Sequence, residues 1–151
     1  LNGVNLSGAD LRRAILAGAK MRDCLLVMSD LSNCDLQGAD FSGATLDGVN
    51  LRGSDLSGAR FEKAEVGSVD IKGPDGKPTG RLWPANLSNC KLLQASLVGA
   101  NLRNCNLSGA DLRGADLTNA TLIDANLRDA LLEGAVLTGT RMPAVVEDDD
   151  D

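Results

Sequence analysis

Apolar residues return at every fifth position along almost the whole chain. The first row starts at Leu1, Leu6, Leu11, Leu16 and Met21 and runs by fives to Ile71, fifteen centres without a gap. A second row, shifted by one residue, runs from Leu87 to Met142 and adds twelve. A period of five suits neither regular element. On a helix it advances about 140° beyond a full turn, so the centres would spread around the axis. On a straight strand an odd repeat throws successive centres to opposite faces. What remains is a chain that turns a corner once per repeat, with each five-residue unit forming one wall. Four such walls close a square coil with every centre pointing at a common axis.

The residue two before each centre forms a second lane. From Val4 to Val69 it holds seven Ala, three Val, two Cys and two Ser; from Ala85 to Thr140 it holds nine Ala, two Cys and one Thr. Small or β-branched occupants throughout predict that this lane also faces a narrow interior. The positions between and after the two lanes carry mostly Asp, Asn, Lys, Arg, Ser and Thr, followed often by Gly or Asn, as expected of outward walls and tight corners. Internal repetition on this scale is the mark of a solenoid stabilised by neighbour contacts.

The stretches "GADLRGADL", "GANLRNCNL" and "GADFSGATL" resemble the pentapeptide-repeat family, whose motif is A-(D/N)-L-x-x. The resemblance covers residues 1–142 and implies an all-β fold, a right-handed quadrilateral β-helix with four repeats per coil. With Leu82 counted as a further centre, about twenty-eight units make about seven coils. A coil of twenty residues also implies that Met21, Phe41 and Phe61 stack on one wall of the interior. Leu107, Leu112 and Leu117 are representative interior leucines.

The array breaks at "IKGPDGKPTGRLWPANL", residues 71–87. If Leu82 is a centre, six extra residues bulge as a surface loop over 72–81, rich in the turn formers Gly73, Pro74, Gly76, Pro78 and Gly80. Its "GK" is no phosphate-binding loop, because Ile71 and Pro78 stand where that motif needs glycine and a hydroxyl. Trp83, the sole tryptophan, sits at the base of this loop, either anchoring it to the rod or forming a partner-binding hot spot with Arg81 and Lys77. Leu25, Val27, Leu93 and Leu131 form a second candidate surface if the register survives the break.

Composition narrows the chemistry. The chain has no His and no Tyr, and Cys24, Cys34, Cys90 and Cys105 all fall in the small-residue lane. Buried thiols there act as small hydrophobes, and without closely paired ligands no metal site is expected. General bases reduce to carboxylates on regular walls, so the chain reads as non-enzymatic, with no cofactor. Thiols without a bridging partner point to a reducing compartment, cytosol or nucleus. The net charge of −6 resides in the tail: "EDDDD" at 147–151 holds five of the 21 acids, leaving 16 against 15 bases. The tail over 143–151 is expected to be disordered. No basic stripe with interleaved aromatics supports nucleic-acid binding, and no apolar run has transmembrane length.

The chain begins within a repeat, "LNGVNL", and reads as an excised domain. The interrupted array, with Pro74 and Gly76 before a restart at Ala85–Leu87, resembles the C-terminal domain of BTB/POZ proteins of the potassium-channel-tetramerisation type. That resemblance implies a partner-recruiting adaptor of a cullin-based ubiquitin ligase, with the cullin reached through a BTB domain absent here; a plant member of that group binds a formin. The alternatives are a DNA mimic acting on a type II topoisomerase, which needs a continuous negative face, and a structural repeat protein.

Overall fold

The computed structural model describes residues 1–144; most of the acidic tail expected over 143–151 therefore lies outside the described residues. Each repeat forms one wall, and the wall is short because its central residue turns inward while its neighbours turn out. The central N–H reaches the next coil, as Leu6 donates to the Leu25 carbonyl and Leu31 to that of Asn50, both at 2.7 Å. The residue before the centre pairs in parallel with its counterpart twenty positions later, Asn5 with Leu25 and Asp10 with Asp30. Twenty residues complete a circuit, and the stacked circuits form an all-β right-handed quadrilateral β-helix.

Corners are β-turns. The N–H three residues after a centre closes onto the central carbonyl, Ala9 on Leu6 and Ala39 on Leu36 at 3.0 Å each. The third turn position is left-handed all along the rod, which explains its Gly and Asn: Gly38 has φ 67° and Asn33 has φ 55°, a region costly for other side chains. Met28 adopts it as well, with φ 58°.

The Asp or Asn of the motif has an equally local reason. Its side-chain oxygen accepts the backbone N–H two residues on, as at Asp30 to Ser32 (3.0 Å), Asn50 to Arg52 (3.1 Å) and Asp116 to Thr118 (2.9 Å). This Asx turn ties off the N–H that the corner leaves unpaired. The recurring carboxylates are thus structural.

The interior is a stack of single layers. Met21, Phe41 and Phe61 are fully buried on one wall, and the two phenyl rings stack with centroids 5.0 Å apart and planes 13° off parallel. Leu107, Leu112 and Leu117 are likewise fully buried. All four cysteines are free and buried. Three of them donate S–H to a central carbonyl one coil back: Cys24 to Leu1, Cys34 to Leu11 and Cys90 to Leu51. Ser54 makes the same bond to Leu31 at 2.6 Å, so this lane accepts a small donor without loss. Burial pushes the Cys90 thiol up to about 12 and raises that of Cys105 as well.

The interruption differs from the expected loop. Asn50 pairs with Asn86 and Glu65 with Asn101, an offset of thirty-six where every uninterrupted coil has twenty. The insertion therefore adds sixteen residues. It folds as an antiparallel hairpin of β1 (Ser68–Lys72) and β2 (Pro78–Pro84). Ile71 and Leu82 are not repeat centres: Ile71 pairs with Arg81 in the hairpin, and Leu82 lies exposed in β2. Their chain is held by cross-strand hydrogen bonds, which do not turn a corner every fifth residue. Fourteen centres precede the hairpin and twelve follow it, making twenty-six and about six and a half coils. The longer insertion also separates the second candidate surface. Leu25 lies in the column that continues to Arg141, Leu131 in that of Asp35 and Asp111, so the apolar residues fall on opposite walls.

Replacing Phe61 by Ala removes half of the stacked pair from an interior one side chain wide. The expected cost is about 3–5 kcal/mol, read as a lower urea midpoint with an unchanged m-value. Thiol labelling in native buffer at pH 8 should be slow for all four cysteines and fast after denaturation; rapid native labelling of Cys90 or Cys105 would contradict their burial.

Candidate functional site

The walls offer little chemistry. On "DLR" repeats, Asp and Arg flank an inward leucine and so meet on the outside. Arg12 grips Asp10 with bonds of 2.8 and 2.7 Å, and Arg113 grips Asp111 with bonds of 2.9 and 2.7 Å. The guanidinium of Arg12 holds the exposed Asp10 carboxyl at about 2, and that of Arg113 lowers Asp111. Arg60 pairs with Glu62 in the same manner at 2.9 Å. These carboxylates are neutralised by neighbours and are no reservoir of general base. Among the described residues no cluster of His, Cys, Asp or Glu could hold a metal ion, and no helix is long and apolar enough to cross a membrane.

The hairpin is where the regular surface ends. It leaves the coil after Gly67, whose N–H is held by Asp47 Oδ1 at 2.9 Å, and returns at Ala85, whose N–H donates to the Gly67 carbonyl at 2.9 Å. Its stem is therefore clamped shut at one corner. Cross-strand register places Val69 opposite Trp83 and Ile71 opposite Arg81 on one face, with Asp70 opposite Leu82 on the other.

The Trp83 face turns toward the rod. A Cβ on Gly48 would fall 2.6 Å from Met28 Sδ, 3.0 Å from Val69 Cγ2 and 3.2 Å from Trp83 Cδ1. With φ 68° as well, this position takes glycine for two independent reasons. Trp83 thus rests an edge on the rod yet remains 52% exposed, so it both anchors the hairpin and presents apolar surface. Beside it lies a groove of about 230 Å³ lined by Val49, Asn50, Trp83, Pro84, Asn86 and Asn106.

Arg81 is exposed and shares the Trp83 face of β2. Lys77 lies instead in the turn at the hairpin tip, where its carbonyl accepts the Gly73 N–H at 2.8 Å and its N–H is bound by Asp75 Oδ1 at 3.0 Å. The hairpin brings Trp83 and Arg81 together and leaves Lys77 apart. Gly48 and the three asparagines carried no signal in the sequence, and Val69, expected as the last member of the inward small-residue lane, lies instead in β1 opposite Trp83. A signal for Val69 existed in the alternation of "SVDIK", which has the period of a strand, but the fivefold count ran through it.

Sequence comparison agrees with this anatomy. A family model described as pentapeptide repeats (8 copies) matches residues 1–26, 29–65, 85–119 and 115–143, passing over the hairpin. No curated protein matches the chain significantly. Among solved structures, a trypsin-treated variant of QnrB1, a plasmid-mediated fluoroquinolone resistance protein, aligns with TM-score 0.57 and 21% identity over 91% of this chain and 72% of that one. HetL, a pentapeptide repeat protein involved in heterocyst differentiation regulation from the cyanobacterium Nostoc, is 30% identical over 91% of this chain and 73% of its own, with TM-score 0.28. A pentapeptide repeat protein from the Arabidopsis thaliana thylakoid lumen is 25% identical over 85% and 68%, with TM-score 0.39. With its repeats matched on both sides of the hairpin, the chain belongs to the pentapeptide-repeat family.

Proposed function

We propose that this chain is a non-enzymatic scaffold that recruits a protein partner through the hairpin side of the rod, centred on Trp83 and Arg81 with Lys77 at the margin. The observation that carries this reading is the half-exposed Trp83 beside a groove, on the one segment among the described residues that departs from the coil. An amphipathic ring held rigidly at one edge loses little freedom on binding and brings large contact area, the usual character of a hot spot. The regular walls, by contrast, carry no inserted segment, and at Asp10–Arg12, Arg60–Glu62 and Asp111–Arg113 their charges cancel within a repeat.

The finer reading extends the resemblance of the interrupted array and its "ANL" restart. The rod is the partner-recruiting domain of a BTB/POZ adaptor of a cullin-based ubiquitin ligase, working in the cytosol or nucleus, with a formin as the candidate partner. DNA mimicry toward a type II topoisomerase is the less favoured reading. It requires one sign of charge along a face, and here Arg12, Arg60 and Arg113 each neutralise an acid on their own wall.

Affinity capture with the wild type and Trp83→Ala, compared by mass spectrometry, tests the proposal. A protein retained by the wild type and depleted at least tenfold with the variant is expected, with the coil's circular dichroism unchanged. Equal capture by both would remove the hairpin as the recruiting surface. Gyrase supercoiling should be unaffected by micromolar protein, and inhibition would restore the mimicry reading.

A further inference from the structure

The groove beside Trp83 has an unusual chemical bias. Asn50, Asn86 and Asn106 stack in one column on successive coils. Each spends its Oδ1 on a backbone N–H, of Arg52, Ser88 and Ser108 respectively, at 3.0–3.1 Å. A backbone donor fixes which end of the amide faces inward, so all three Nδ2 groups point away from their turns, and none has an acceptor among the described residues. The column thus offers a ladder of N–H donors, each beside an oxygen already engaged in its own turn, that of Asn106 by both the Ser108 N–H and the Ser108 hydroxyl. Lower on the same wall the column holds Asp10 and Asp30, which fill the same turn and donate nothing. The column changes from Asp to Asn at Asn50, level with the hairpin, and continues one coil beyond the groove as Asn126, whose Oδ1 accepts the Arg128 N–H at 3.0 Å.

We propose that this groove binds a proline-rich segment of a partner protein in the polyproline II conformation. The inference rests on the hairpin being the recruiting surface and names the class of partner it recruits. A polyproline II chain presents carbonyls without N–H donors, because proline has none. It is the complement of a ladder whose Nδ2 donors are free and whose oxygens are turned to the backbone. The repeats also match in length: two coil steps of about 4.8 Å span about 9.6 Å, and one polyproline II turn of three residues spans about 9.3 Å. Asn50 and Asn106, two steps apart, meet equivalent carbonyls one turn apart, while the exposed Trp83 ring takes a pyrrolidine ring, the usual mode for aromatic-lined grooves.

Charge selects among such segments. No carboxylate lines the groove. Arg52, two residues beyond Asn50 on the same wall, and Arg81, on the Trp83 face of β2, have no carboxylate partner among the described residues. A proline run flanked by acidic residues is therefore preferred over one flanked by basic residues.

The sole tryptophan, in a chain without tyrosine, reports binding directly. Titration with a synthetic decaproline bearing glutamates at both ends should shift Trp83 emission saturably, with affinity at least threefold above that for the lysine-flanked version. The triple variant Asn50→Asp, Asn86→Asp, Asn106→Asp keeps every Asx turn, as Asp10 and Asp30 do, and removes the donors. It should fold and bind at least tenfold more weakly. No saturable shift up to millimolar peptide, undiminished binding by the triple variant, or saturation by cellohexaose but not decaproline would each overturn the proposal. Trp83-dependent capture of a partner alongside a silent decaproline titration would overturn the polyproline assignment alone and leave the recruiting surface standing.

Discussion

The whole molecule depends on one packing constraint: an interior one side chain wide, closed every twenty residues by backbone bonds to the coils above and below. Because each wall contributes one central residue, there is no second layer to absorb a misfit. Leu fills the centre, Ala or another small group fills the flanking lane, and Phe41 and Phe61 fit because they stack directly on one another at 5.0 Å. That centroid spacing is close to the strand spacing of about 4.8 Å, so the rings climb the rod at nearly the pitch of the backbone.

The same pitch organises the outside. Whatever stands at one outward position recurs as a column, and its chemistry is multiplied. Where the column holds Asp followed by Arg, as at Asp10 and Arg12, charge cancels within a repeat. Where it holds Asn50, Asn86 and Asn106, amide donors accumulate at even intervals. A solenoid of this kind is thus a ruler, its outward groups recurring at the pitch of the coil. The hairpin adds what a ruler lacks, an apolar group at a defined height.

The placement of the hairpin costs the array little. It leaves from a corner, where the chain already turns outward, and Gly67 closes the gap by bonding to both Asp47 and Ala85. The coils on either side pair across the break as if it were absent, Asn50 with Asn86 and Glu65 with Asn101. Such insertions can therefore diversify the surface without disturbing the interior. Gly48 supports this one by leaving room for Val69 and Trp83.

The array was legible in the amino-acid sequence because its determinants are local and repeated. A five-residue period, a small-residue lane, Asp or Asn at the Asx turn and Gly or Asn at the left-handed corner each reflect contacts within a repeat or one coil away, and twenty-six copies average out the exceptions. The insertion happens once, so nothing averages. Val69 and Ile71 keep the fivefold phase by coincidence, and Leu82 resembles a centre, yet cross-strand pairing and not coil stacking holds all three. The separation of Leu25 from Leu131, the seating of Trp83 over Gly48 and the convergence of three asparagines beside it follow from the sixteen-residue offset. That offset was settled by which walls pair across the break, a tertiary contact with no signature in the local chain.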